Sequence, residues 1–156
     1  MVQEDTRLTL IEDIEALDPS LKKMAAYWNA ERGGRAMPSP AAFTPARLPR
    51  ELLPYTTIAE IQRDPLDFRF RLIGTGIVEM AGVDRTNVLG SELYDEGTFR
   101  EALEILRALM SEPRPIAFSG AMTWLDRGYR RFQTLDLPLS FDGAEVDRIL
   151  AINVFL

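Results

Sequence analysis

Residues 55–73 read YTTIAEIQRDPLDFRFRLI. Tyr55 to Ile61 is rich in threonine and isoleucine. Asp67 to Ile73 alternates, with Phe68, Phe70 and Leu72 on one face and Asp67, Arg69 and Arg71 on the other. Successive side chains of a strand point to opposite faces, so this pattern is that of a strand with one buried side. Gln62-Arg63-Asp64-Pro65 supplies a turn, and the stretch predicts an antiparallel hairpin. Gly74 to Gly82 then predicts a short helix between glycines. Gly74-Thr75-Gly76 invites comparison with a dinucleotide-binding turn, but Glu79 occupies the third glycine position and the strand before it carries arginine. The simpler reading is a strand-to-helix turn, with Gly76 allowing close approach and Gly82 capping the helix.

Further along, Thr98 and Glu101 are spaced as a capping box. Phe99, Ala102, Leu103, Leu106 and Met110 form the stripe of an amphipathic helix. Three strands are expected after it, over 115–125, 129–139 and 146–156, joined at hairpin length by Asp126-Arg127-Gly128 and by Ser140 to Ala144. Before the hairpin, Pro38 to Pro54 holds five of the ten prolines, which excludes a long regular element. Phe43, Leu48, Leu52 and Leu53 are too apolar for a free tether, so an ordered strap over the core is expected. Asp18-Pro19 reads as a helix start, Leu21, Met24, Ala25 and Trp28 as its buried face, and Gly33-Gly34 as its end. Leu10, Ile14, Leu17 and Leu21, with Ile11 beside them, predict a further acidic amphipathic helix over 6–17. Helices thus sit between two groups of strands, which makes the fold class α+β.

The chain has 156 residues, enough for one domain. It is divided into an acidic N-terminal helix (1–20) and a domain (21–156) made of a helix and strap (21–54) and a core (55–156). It has no cysteine and no histidine. That excludes disulfides, thiol nucleophiles, the Ser-His-Asp triad, a histidine-ligated haem and a cysteine-linked flavin. Six acids and one base in residues 1–20 sum to −5 of the net −6, leaving a nearly neutral body. With pI near 4.8, neither nucleic acid nor an anionic membrane surface is an expected partner. No signal pattern or spanning apolar run is present, and the expected setting is cytoplasmic.

Asp84, Asp95, Asp126, Asp136 and Asp142 read as solvated turn acids, and none is spaced like a metal-binding loop. Arg127, Arg130 and Arg131, with Arg69 and Arg71, are better explained by cross-strand carboxylate pairs than by a nucleic-acid footprint. Asn153 stands alone in the apolar run ILAINVFL, where a buried amide needs partners.

The runs LKKMAAYWNAERGGRAMPSPAAFTP, LPRELLP, FRFRLIGTGIVEMAGVDRTN and LDLPLSFDGAEVDRILA together resemble a family of small alphaproteobacterial PAS-domain proteins, over about residues 21–152. Tyr27-Trp28, Arg32, Gly34-Arg35, Pro38, Arg71, Gly74, Gly82, Leu137-Pro138-Leu139 and Arg148-Ile149-Leu150 carry the match. Pro40-Ala41 stands where an arginine is expected and Asn87 where a glycine is usual. The resemblance implies a five-stranded antiparallel sheet of order 2-1-5-4-3, helices closing one face, and N-terminal flanking helices. It brings no catalytic or ligand residues.

The resulting expectation is a non-catalytic sensory or regulatory module that binds a small apolar ligand or a partner protein. The alternatives are a ligand-free dimerisation module or a small acid–base enzyme. Phe70, Met80, Met122, Trp124, Phe132 and Asn153 are candidates to line a ligand site. Leu10, Ile14, Leu17 and Leu21 are candidates for a homodimer or partner interface.

Overall fold

The computed structural model describes residues 8–122 and 130–156. In chain order its regular elements are β1 (Thr9–Ile11), α1 (Pro19–Arg32), β2 (Thr56–Gln62), β3 (Asp67–Ile73) and α2 (Thr75–Ala81). They continue with α3 (Gly90–Leu93), α4 (Glu96–Ser111), β4 (Ile116–Met122), β5 (Arg130–Leu139) and β6 (Arg148–Phe155). The hairpin is β2–β3, and the sheet order is β1-β4-β5-β6-β2-β3 with antiparallel neighbours throughout. Counted from the hairpin, the last five strands have the expected order 2-1-5-4-3. β1 adds a sixth at the β4 edge.

That added strand corrects the reading of residues 6–17. Over the described residues from Leu8 onward the stretch is a three-residue strand and a short 3₁₀ turn at Ile14–Ala16, not a helix. Leu10 pairs with Phe118 of β4, and Leu10 and Ile14 remain 56% and 53% exposed. Leu17 and Leu21 are buried in the chain's own core, so they form no free stripe with the other two.

Strand parity sorts the sheet into two faces. Gln133 of β5 reaches the start of α1, accepting from the Asp18 backbone N–H at 2.8 Å and donating to the Ala16 carbonyl at 3.1 Å. Leu135, Leu137 and Leu139 share its face, and so α1 and the strap cover that side. Leu21, Met24, Trp28, Met37, Phe43, Leu48 and Leu52 are all buried there or around it. The strap is a series of 3₁₀ turns at Pro40–Phe43, Pro45–Arg47 and Leu53–Tyr55. Pro138 is tolerated within β5 because β4 starts only at Ile116, opposite Asp136. Its carbonyl accepts from Trp28 Nε1 at 2.8 Å.

The opposite face belongs to α4, whose Phe99 ring lies against Phe68 of β3 at 6.0 Å. α4 starts earlier than the Thr98–Glu101 box implies. Asp95 is its N-cap and accepts from the Thr98 N–H at 2.8 Å, while Glu101 accepts from the Leu8 N–H at 3.0 Å. A β-bulge at Ile58/Ala59 interrupts the alternation of β3. Phe70 opposes Ala59 on the α4 face, whereas Leu72 opposes Ile58 on the α1 face and Ile73 takes the inward position beside Thr57. The far edge of β3 is covered by residues 87–89, through Asn87 N–H to Phe70 O and Phe70 N–H to Val88 O.

Gly74, between β3 and α2, lies against the strap. A Cβ there would sit 2.3 Å from the Pro54 carbonyl oxygen. Backbone cannot step aside as a flexible side chain can, so Gly74→Ala is expected to cost about 1–3 kcal/mol. A thermal melt reads this directly, and an unchanged midpoint would mean that strap and α2 separate freely.

Candidate functional site

The two faces differ in how completely they are filled. On the α1 face, Leu135, Leu137, Leu150, Ile152 and Thr56 are all 0–1% exposed. On the α4 face, one register row crosses the sheet as Ile116, Asp136, Ala151, Thr57 and Ile73. Ile116 is buried, but the other four keep accessible surface in the middle of the sheet. The adjoining row, Pro138, Ile149, Ala59 and Phe70, is sealed. The accessible floor runs instead toward Asn153, Phe132 and Phe155, which are half-buried at the other end of the same face.

Asp136 is the one acid on this floor. Among the described residues no group donates a hydrogen bond to its carboxylate, and the residue as a whole is half-buried. Burial alone pushes its pKa up to about 7, because no cation or donor stands by to stabilise the charged form. The Tyr94 hydroxyl, between α3 and α4, is pushed up to about 12 by burial and by the Asp136 charge, with Arg85 acting the other way. Asp136 is half-buried and Tyr94 keeps 37% of its surface exposed.

Reading Asp136 as a solvated turn acid is therefore corrected. The turn reading does describe other acids. Asp84 accepts from Thr86, Asp95 from Thr98, and Asp142 from Ser140, Ala144 and Glu145. The backbone donors of Ala144 and Glu145 with the Ser140 hydroxyl hold Asp142 down at about 2. Asp67 is buried but satisfied, accepting from the Phe68 N–H and from both the N–H and the hydroxyl of Ser91. Among the described residues no three acidic side chains converge as a metal site would require.

The six ligand-site candidates separate. Asn153 and Phe132 lie on the accessible floor, diagonal to one another across β5 and β6. The Asn153 amide donates to Tyr55 O at 3.1 Å and accepts from Thr134 Oγ1 at 2.6 Å, which leaves one N–H and one lone pair uncommitted. Phe70 shares the face but stands in the sealed row, packed edge-on against Phe68. Met80 is half-buried on α2, off the sheet. The Met122 backbone pairs with Arg130, while its side chain and the whole of Trp124 lie outside the described residues. Among the described residues the arginines do not form one patch, since β6 and β2 separate β5, with Arg131, from β3, with Arg69 and Arg71, while Arg127 and the Arg130 side chain lie outside the described residues. Arg71 instead pairs with Glu60 at 3.2 Å, and that hydrogen bond holds the Glu60 carboxyl below its ordinary range.

No curated protein and no solved structure matches this sequence. A family described as PAS domain does match, over residues 17–153. That span holds α1, the strap, the hairpin, the helices and the three closing strands, with the half-open α4 face between them. The chain belongs to the PAS domain family.

Proposed function

We propose that the chain is a sensory PAS module that takes a small, largely apolar ligand into the cleft between the α4 face of its sheet and the helices. The observation that carries this reading is the contrast between the two faces: the middle of one is filled, and the middle of the other keeps accessible surface around a single unpartnered acid. Asn153 stands diagonal to that acid and Phe132 two same-face positions along β5, polar and aromatic groups in the mixture usual for small-molecule sites. Modules of this family are in general non-catalytic, and binding rather than turnover is the role proposed for this site.

Output is proposed to pass to a second copy or a partner protein, and exposed Leu10 and Ile14 offer the apolar contact for it. A bound signal shifts such an equilibrium only by its difference in affinity for the two states. No helix among the described residues is long and apolar enough to cross a membrane, and the module is proposed to work in the cytoplasm away from nucleic acid.

Native mass spectrometry of the protein as purified tests the reading. An adduct of small-molecule mass that disappears on mild unfolding is the expected result. A bare mass, together with no change in melting temperature across a library of small apolar compounds, would leave only the ligand-free interaction module.

A further inference from the structure

Resting on the ligand-binding reading just given, we infer that the ligand of the α4-face cleft is an apolar amine, with its ammonium paired to Asp136. Asp136 is carried by β5, flanked in its row by Ile116 on β4 and Ala151 on β6, with Thr134 and Pro138 as same-face neighbours along its strand. Ile116, Ala151 and Pro138 offer no donor, and the Thr134 hydroxyl is already committed to Asn153. Farther along the row come Thr57 and Ile73, neither of which brings a cation.

The helices bring none either. On α4, Arg100 pairs with Glu96 at 3.4 Å on the exposed side, and Arg107 is exposed. Arg85, the cation felt at Tyr94, is itself exposed in the loop after α2. On the β2–β3 hairpin, Arg71 is taken by Glu60 and Arg69 donates to Asn87 O. A carboxylate buried without a partner is costly, and in a folded chain such groups are normally paired or hydrogen-bonded. Asp67, Asp84, Asp95 and Asp142 all have donors, while Asp126 lies outside the described residues. Among the described residues Asp136 is the one acid on the floor of this face, it keeps accessible surface, and no donor or cation from the chain meets it, so a partner from outside fits the position.

The surroundings then select the chemistry of that partner. An anionic ligand, such as a fatty acid, would place like charges together in a medium of low dielectric. A neutral apolar ligand would remove water from the carboxylate and give no donor in return. A primary or secondary ammonium on an apolar body supplies both, and a charge-assisted hydrogen bond of this kind is among the stronger ones available. Tyr94, held in its neutral form, can donate or accept at the rim of the same site.

Hexylamine, hexanol and hexanoate, with the matching phenethyl series, are probes of nearly equal shape that differ in charge. Their affinities for the full chain and for Asp136→Asn would be measured by calorimetry or ligand-observed NMR. The amines are expected to bind the native chain at least about tenfold more tightly than the alcohols, with the acids weakest. In Asp136→Asn that preference should collapse while the alcohols bind as before. Native-chain binding of alcohols without preference for amines, or an amine preference that survives Asp136→Asn, would overturn the inference and leave the ligand-binding reading standing. If no probe in either series binds either protein, and no adduct is retained on purification, both fall together. Should Asp136→Asn fail to fold, Asp136→Ser provides the same comparison.

Discussion

Asp136→Asn is expected to make the protein more stable than its parent at about pH 8, and to leave it nearly unchanged at about pH 4. The sign follows from the proton. In the unfolded chain Asp136 ionises in the ordinary carboxylate range, whereas in the folded chain it holds its proton up to about pH 7. Between those values folding takes up a proton, so stability declines as pH rises through the window and is flat above it. Each unit of displacement is worth about 1.4 kcal/mol, so the whole decline is on the order of a few kcal/mol. Asparagine has the same shape and no proton to lose, and the decline should vanish with it. Asp142 works the other way: its carboxylate is held down at about 2, and the stability it contributes is lost as pH falls from about 4 toward that value. The parent protein should accordingly be most stable in weakly acidic solution. Urea midpoints measured across pH check both limbs. An Asp136→Asn chain as pH-sensitive as its parent, or less stable at pH 8, would show that the carboxylate has a partner.

Trp28→Ala should be the most damaging single truncation on the other face, at about 3–5 kcal/mol. Trp28 is 3% exposed and its indole N–H is the donor to the Pro138 carbonyl. Truncation opens a cavity beneath β5 and leaves that carbonyl without its donor. Trp28→Phe separates the two losses, because it keeps a ring and removes only the N–H. A cost of about 1–3 kcal/mol is expected for that change. Domains of this kind have roughly 5–15 kcal/mol in total, so Trp28→Ala should visibly lower the denaturation midpoint and the soluble yield. Equal costs for the two variants would mean that the hydrogen bond, rather than the packing, dominates. A neutral Trp28→Phe would mean that water replaces the donor.

Much of the frame was legible because it rests on local chemistry. The hairpin showed in the alternation of Asp67–Ile73, α1 in Asp18-Pro19 and its stripe, and the strap in prolines interleaved with Phe43, Leu48 and Leu52. What misled was spacing without length. Leu10, Ile14 and Leu17 fall at helical intervals, but they belong to a strand, a 3₁₀ turn and the core, respectively. Three residues are too few to display alternation. The bulge that turns Leu72 away and Ile73 inward depends on how two strands meet, and neither strand shows it alone. Asp136 was legible in principle. In FQTLDLPL it is the lone charge of the run, a weaker form of the signature that draws attention to Asn153 in ILAINVFL. Its meaning emerges only when β4 and β6 close on either side and show that no partner comes with them.

β5 is fastened to α1 at two places, by Gln133 near the helix start and by Pro138 at Trp28. Ten residues of helix span about 15 Å and five of strand about 17 Å, so the two fastenings match without bending either element. Between them, on the reverse side, sits Asp136. In mechanical terms the strand is a beam resting on two supports, and the carboxylate is mounted at mid-span, where a supported beam deflects most under load. A force applied at that point is shared by β4 and β6 and by both supports, and through the supports it reaches α1 at its start and about one turn before its end.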